Sequence, residues 1–232
     1  NGSGKSTFLR LLSGLEPPSQ GTVYFEGRPL YTGIGRKKLQ RKIVYVPQDP
    51  PMLWGSVEEN VSATLRMRGV PRKVRRSRTL EWLEKIQLEG RAKFPAAKLS
   101  GGGRRRVALA RALIAEPSVV LLDEPFVSLD GQNKERLIQM IQEFSGQEGF
   151  TTVLVTQERD IALRLADRIA ILWEGTLGTV GSPEDVLNHP GSLNLARFLG
   201  SETIVRGEVI IEKDGVMQVQ VRSEEHTSEI QS

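Results

Sequence analysis

The run that opens the chain, Asn1-Gly2-Ser3-Gly4-Lys5-Ser6-Thr7, limits the fold more than any other feature, because it joins a glycine loop to a helix start around an anion. Gly2 and Gly4 let backbone N–H groups close around phosphate oxygens, and a helix beginning near Lys5 turns its positive end toward the same charge. Lys5 supplies a cation to the outer phosphates, and Ser6 a hydroxyl suited to Mg²⁺. The full pattern needs an earlier glycine just before Asn1, so the chain is expected to begin inside the motif, with upstream strands missing.

Downstream, short β-branched runs alternate with longer helical ones, the pattern of an α/β domain. Helices are expected over 5–15, 56–68, 73–87, 101–115, 132–144, 159–166, 183–188 and 193–199. Strands are expected over 22–25 and 42–46, with buried parallel strands over 119–123, 152–156 and 168–173. After Gly200 the character changes to short strands over 204–211 and 216–221 around Lys213-Asp214-Gly215, a plausible small β appendage. The end of the chain, 222–232, is polar and aperiodic. It resembles the translation of a sequencing-library adapter and is expected to be either that or a disordered tail.

Composition removes several function classes. With 232 residues the chain can bury one large or two small cores. It has no cysteine, hence no disulfide, thiolate metal site or cysteine nucleophile. No apolar run approaches the ~18 residues that cross a bilayer. The net charge of +4 is mild, and the densest basic stretch, 71–78 (PRKVRRSR), has no interleaved aromatic residue. It reads as a solvated helix face, with nucleic acid or anionic lipid as the competing reading.

The run VVLLDEP over 119–125 is an apolar strand ending in two carboxylates. Open parallel sheets place their ligands at that end of a strand. Asp123 suits Mg²⁺, directly or through water, and Glu124 suits the orientation and deprotonation of an attacking water.

Leu99-Ser100-Gly101-Gly102, with RVALARAL over 106–113, resembles the signature motif of ATP-binding cassettes. It is a second helix start, with a capping serine and glycines that allow close backbone approach. Gln48 in Tyr45-Val46-Pro47-Gln48-Asp49 resembles the family's Q-loop, Ser128-Leu129-Asp130 its D-loop, and Val155-Thr156-Gln157-Glu158 its switch. The motifs follow one another in the family's order from Asn1 to about Leu199.

The resemblance implies a P-loop NTPase cassette of α/β class with a mixed or parallel sheet, an inserted helical subdomain over about 49–116, and a regulatory β segment over 201–221 after an ATPase domain over 1–200. It implies ATP and Mg²⁺ as cofactors, with Asn1 to Thr7 on the phosphates and Ser100, Gly101, Gly102 and Asp130 facing an ATP shared with a second cassette. Ser6, Gln48 and Asp123 would hold the metal, and Glu124, Gln157 and Gln48 would serve catalysis. It further implies a peripheral subunit on the cytoplasmic face of the cell membrane. That subunit would dimerise and drive solute import through a separate permease, which docks on the Gln48 region and helical subdomain. A solute-binding protein would be an indirect partner, and nucleic acid is not expected.

The segments 162–172 and 181–186 resemble importer cassettes, 198–209 the entry to the small β domain of molybdate, tungstate and some sugar importers, and 52–69 the tungstate and molybdate group, which gives the implied cargo. Two departures stand out: Gly103 replaces the usual glutamine or glutamate, and Gln157 the switch histidine. A glutamine amide donates to phosphate but has no cationic form, which predicts slower hydrolysis, with an adequate donor and ordinary turnover as the competing reading. The alternatives are a nucleotide-gated binding module with little hydrolysis and a non-transport cassette.

Overall fold

The computed structural model describes residues 3–33, 35–147, 150–189, 191, 195, 199, 207–213 and 216–221. Asn1, Gly2, the 201–206 segment and the tail over 222–232 lie outside them, as does most of the helix expected over 193–199. The chain divides into two units: Asn1–Asp167 with Leu172–Leu177, and Arg168–Ile171 with Gly178–Ser232.

The first unit opens with α1 (Lys5–Ser13), which Gly14 ends in the left-handed conformation, its N–H donating back to Arg10 and Leu11 carbonyls. A minimal antiparallel hairpin follows, β1 (Tyr24–Phe25) with β2 (Arg28–Pro29), then a short basic helix α2 (Arg36–Gln40). The strand β3 (Ile43–Val46) leads through Pro47 to an exposed bend at Gln48 and Asp49.

Two helices come next, α3 (Val57–Met67) and α4 (Arg72–Lys85). Ser56 and Glu59 form a reciprocal capping box at the start of α3. The signature-like helix α5 (Gly101–Leu113) is capped by Ser100, whose hydroxyl accepts from Gly103 N–H at 3.3 Å. Then come β4 (Val119–Asp123), α6 (Gly131–Gln147), β5 (Thr151–Val155) and α7 (Arg159–Leu165).

The three core strands run in the order β3–β4–β5, all parallel, with Val46 beside Leu122 and Asp123 beside Val155. Because side chains alternate across a strand, the central strand feeds two cores. Val120 and Leu122 enter a large cluster with Val57, Leu83, Val107, Phe126 and Ile138, while Leu121 enters a second one with Leu9, Leu30, Leu39 and Ile43. Burial on both faces is why β4 is a nearly unbroken apolar run. Helix α6 presents Leu137, Ile138, Ile141 and Phe144 as one stripe, and Trp82 of α4 meets Phe144 with ring centroids 5.1 Å apart.

Buried Asn60, in α3, fixes the loop before that helix. Its amide donates to the Leu53 and Ser56 carbonyls, and its oxygen accepts from Leu53 N–H at 2.8 Å and from Arg111. A fully satisfied buried amide of this kind specifies one loop conformation.

Strand β6 (Ile169–Trp173) pairs with β7 (Thr176–Gly181) in a two-stranded sheet. This corrects the expected parallel strand over 168–173: among the described residues it does not join the β3–β4–β5 sheet, and only Ile171 in it is buried. In the second unit, α8 (Pro183–Asn188) carries its own capping box from Ser182 and Asp185. Val186 packs with Ile171, Leu195 and Leu199. The last pair, β8 (Gly207–Lys213) and β9 (Val216–Val221), is an antiparallel ribbon with an irregular register between Val209 and Ile211.

Candidate active site

Gly4 stands at the N-cap of α1 with φ of 84°, a left-handed conformation that costs an L-residue with a Cβ about 1–2 kcal/mol. No side chain caps this helix start, and its first turn contains no acid, so its amide hydrogens and positive end are not neutralised from within the helix. Lys5 Nζ donates back to Ser3 Oγ at 3.0 Å, which folds the ammonium over the loop. Ser6 is half-buried and Thr7 exposed. Leu9 on the opposite face of α1 packs into the cluster that contains Leu121 and Ile43, setting the loop against the sheet.

At the end of the central strand, Asp123 is only 3% exposed and Glu124 only 5%. Asp123 Oδ2 accepts from the Tyr45 hydroxyl at 2.8 Å, and its Oδ1 has no partner among the described residues. Glu124 leaves the strand with φ of 45°, an uncommon conformation for a non-glycine residue, of the kind that clusters at functional sites. Its own N–H donates to Val155 O at 2.9 Å, its Oε2 accepts from Gln157 N–H at 3.3 Å, and its buried Oε1 has no partner among the described residues. Two adjacent buried carboxylates therefore each have one oxygen tied and one open. Buried polar atoms are rarely left so, and each exception calls for a ligand, a water or an ion.

The switch segment is anchored from α6. Lys134 Nζ pairs with Glu158 Oε2 at 2.6 Å, and Arg164 makes a forked pair with Glu135. Gln157 itself is exposed. In the segment that resembles a D-loop, Ser128 takes φ of 60°, and both Asp130 oxygens are bonded to Asn133, one to its N–H at 2.9 Å and one to its amide at 2.7 Å. The Asn133 N–H, followed by its side-chain amide, holds the Asp130 carboxyl below the ordinary aspartate range.

Gly102, buried at the start of α5, lies so near Asn133 that a Cβ there would come within 3.0 Å of its amide carbon and oxygen. Ser100 is exposed and Gly101 half-buried. The Gly103 N–H is the donor to the Ser100 cap, and a Cβ at Gly103 would crowd Leu99 at 3.3 Å. Gln48 is exposed in the bend after β3, beside Asp49, whose charge acts on Arg105. Tyr45, Asn133 and Lys134 are the site neighbours that the sequence reading missed. The signal for Tyr45 was a phenol three residues before Gln48, on a strand paired with the one that ends in the acids.

A glycine turn opening an uncapped helix, with an acidic strand end in a parallel sheet, is the architecture of a P-loop NTPase. The family model described as "ABC transporter" matches residues 1–127. A sulfate/thiosulfate import ATP-binding protein of Rhizobium meliloti is 38% identical over 223 residues, covering 91% of this chain and 63% of the relative. A molybdate/tungstate import ATP-binding protein of Pyrococcus horikoshii is 36% identical over 211 residues, covering 89% of this chain and 59% of the relative. Among solved structures, cbiO1 from Clostridium perfringens, part of the ABC transporter complex cbiONQ, superposes with a TM-score of 0.74 at 31% identity, covering 82% of this chain and 77% of that one. The chain belongs to the ABC transporter family. It spans less than two thirds of the length of the curated relatives it matches.

Proposed function

We propose that this chain is the ATP-binding and ATP-hydrolysing part of an importer, working as one of two cassettes on a separate membrane permease. The observation that carries this reading is the pair of open oxygens, Asp123 Oδ1 and Glu124 Oε1, at the end of β4. The uncapped start of α1 packs on the same strand through its helix.

The donor set fits Mg²⁺. Among the described residues no group of three or more His, Cys, Asp or Glu side chains could hold a metal alone. Mg²⁺ does not need one, since one or two carboxylates suffice and neutral oxygens, phosphate and water complete its shell. Asp123 Oδ1, Ser6 Oγ and the Gln48 amide would hold it, and when bound it neutralises developing charge on the phosphates. Lys5 and the first amides of α1 bind and orient the phosphates. Glu124 Oε1 takes the proton of the attacking water, while Gln157 N–H fixes the other oxygen of that carboxylate. Gln157 donates its side-chain amide to the outer phosphate in place of an imidazole. Ser100, Gly101, Gly102 and Asp130 complete the site of the second cassette.

The loop after Gln48 supports a membrane partner. Trp54 is fully exposed, Leu53 and Phe94 are partly so, and the Asn60 amide holds the loop in place. No helix among the described residues is long and apolar enough to cross a membrane. The cytoplasmic membrane face is the proposed location. The printed names of the relatives share a tetrahedral oxyanion as cargo, sulfate and thiosulfate as well as molybdate and tungstate, and an oxyanion is the cargo class proposed here.

Steady-state ATP hydrolysis by the protein as its gene encodes it tests the reading, with Glu124→Gln as the comparison. Loss of the base should lower turnover about 10²–10⁴-fold and leave nucleotide binding in place. Turnover no higher than that of Glu124→Gln, with ATP-driven dimerisation intact, would instead identify a nucleotide-gated binding module.

A further inference from the structure

Tyr45 lies outside the residues that the motifs select, yet it makes the one hydrogen bond that orients the Asp123 carboxylate among the described residues. The two residues are 78 positions apart and meet because β3 and β4 run parallel in register, Tyr45 beside Leu121. Tyr45 and Leu121 belong to the cluster on the α1 side of the sheet. The phenol thus approaches Asp123 from the side that carries the phosphate-binding loop. Arg10, on α1, acts on the same phenol oxygen and on Glu16. A carboxylate oxygen accepts, so the O–H donates to Asp123 Oδ2.

We infer that Tyr45 is a positioning residue for the divalent cation: by holding Asp123 Oδ2 it leaves Oδ1 as the single oxygen offered to the metal of a bound nucleotide. The inference rests on the proposed nucleotide site. Without the phenol O–H, both carboxylate oxygens would be buried without a partner. The group could then rotate or recruit water, and the fixed direction of Oδ1 would be lost. Partners that orient a metal ligand in this way typically matter about 10–100-fold in metal affinity.

The test measures Mn²⁺ binding to the ATP-loaded protein by electron paramagnetic resonance, and ATP binding in EDTA. It compares the natural protein, Tyr45→Phe and Asp123→Asn, with thermal midpoints recorded for each. Tyr45→Phe keeps the ring among its apolar neighbours and removes only the hydroxyl. The expected result is Mn²⁺ affinity lowered about tenfold or more, with ATP affinity in EDTA unchanged. Equal Mn²⁺ affinity in Tyr45→Phe and the natural protein, with a clear loss in Asp123→Asn, would overturn the role of Tyr45 alone. No loss in Asp123→Asn would overturn the metal site itself. Equal losses of ATP affinity with and without metal in Tyr45→Phe would show a structural role and also reject the inference. If Tyr45→Phe is too unstable to purify, Tyr45→Gln, which keeps a donor, replaces it, and Mn²⁺ affinity as low as that of Asp123→Asn would then count against the inference.

Discussion

The main-chain N–H of Gln157 donates to Glu124 Oε2 at 3.3 Å, so the switch segment touches the proposed general base through its backbone. A histidine at this position would keep that backbone contact available, and the two residues would differ in what the proposed site offers a phosphate. The Lys134–Glu158 pair fixes the next residue, which keeps the amide in place.

Gln157→His should therefore raise turnover by about tenfold, equivalent to about 1.4 kcal/mol of barrier. The gain would come from an imidazole that can carry a proton. Gln157→Ala should lower turnover only a few-fold, because the amide that holds Glu124 survives. Steady-state rates of the three proteins check this; a rate for Gln157→Ala as low as that of Glu124→Gln would show that the side chain, not the backbone, sustains the site.

Gly4→Ala isolates the backbone requirement of the loop. A Cβ at Gly4 meets nothing within 4 Å, so the cost is conformational, roughly 1–2 kcal/mol at φ of 84°. For a chain of this size that corresponds to about 2–8 °C in thermal midpoint. ATP affinity should fall as well, and a midpoint unchanged from the natural protein would reject the strained-loop account.

The α1 start is uncapped, but α3 opens with the Ser56–Glu59 capping box, and this gives stability a pH dependence. The Ser56 N–H, followed by its hydroxyl, holds the Glu59 carboxyl below the ordinary glutamate range. A depressed folded value means the contribution is complete above the unfolded pKa and lost as pH falls through the folded one. Glu59→Gln should lower the urea midpoint at about pH 7 and make much less difference at about pH 3. A gap of equal size at both would assign the loss to packing instead of charge.

Trp54→Asp tests the membrane partner. The side chain is fully exposed, so thermal stability and the ATPase rate of the isolated protein should stay as they are. Binding to the permease should weaken about 30-fold or more, as expected for an aromatic anchor worth about 2 kcal/mol. Undiminished co-purification would move the docking surface away from this loop.

Much of the site was legible because its chemistry is local. Gly4-Lys5-Ser6 needs only the turn and the helix it starts, and the acids over 123–124 need only the apolar run before them. Relations between distant segments were not legible. Tyr45 and Asp123 meet through sheet register, and Gly102 and Asn133 through the packing of α5 on α6. The run over 168–173 reads as a buried strand because it is apolar, yet Ile169–Trp173 pairs only with β7; periodicity does not say which neighbour a strand takes. Helix α2 and β7 escaped notice for different reasons. One is five residues with three consecutive polar positions, and the other holds two glycines among its six residues.

The two tied oxygens of the acidic pair are held from opposite sides of the central strand. One is held by β3 through Tyr45, the other by the segment that follows β5. Sliding β3 by one residue would turn Tyr45 to the other face and release Asp123, and sliding β5 by one would carry the Gln157 N–H out of register with Glu124, even with every strand still paired. Sheet alignment and catalytic readiness are in this sense one variable. A misaligned molecule could keep its secondary structure and much of its core and still be inert, so a mixed preparation would show a reduced fraction of active sites rather than a uniformly slower enzyme.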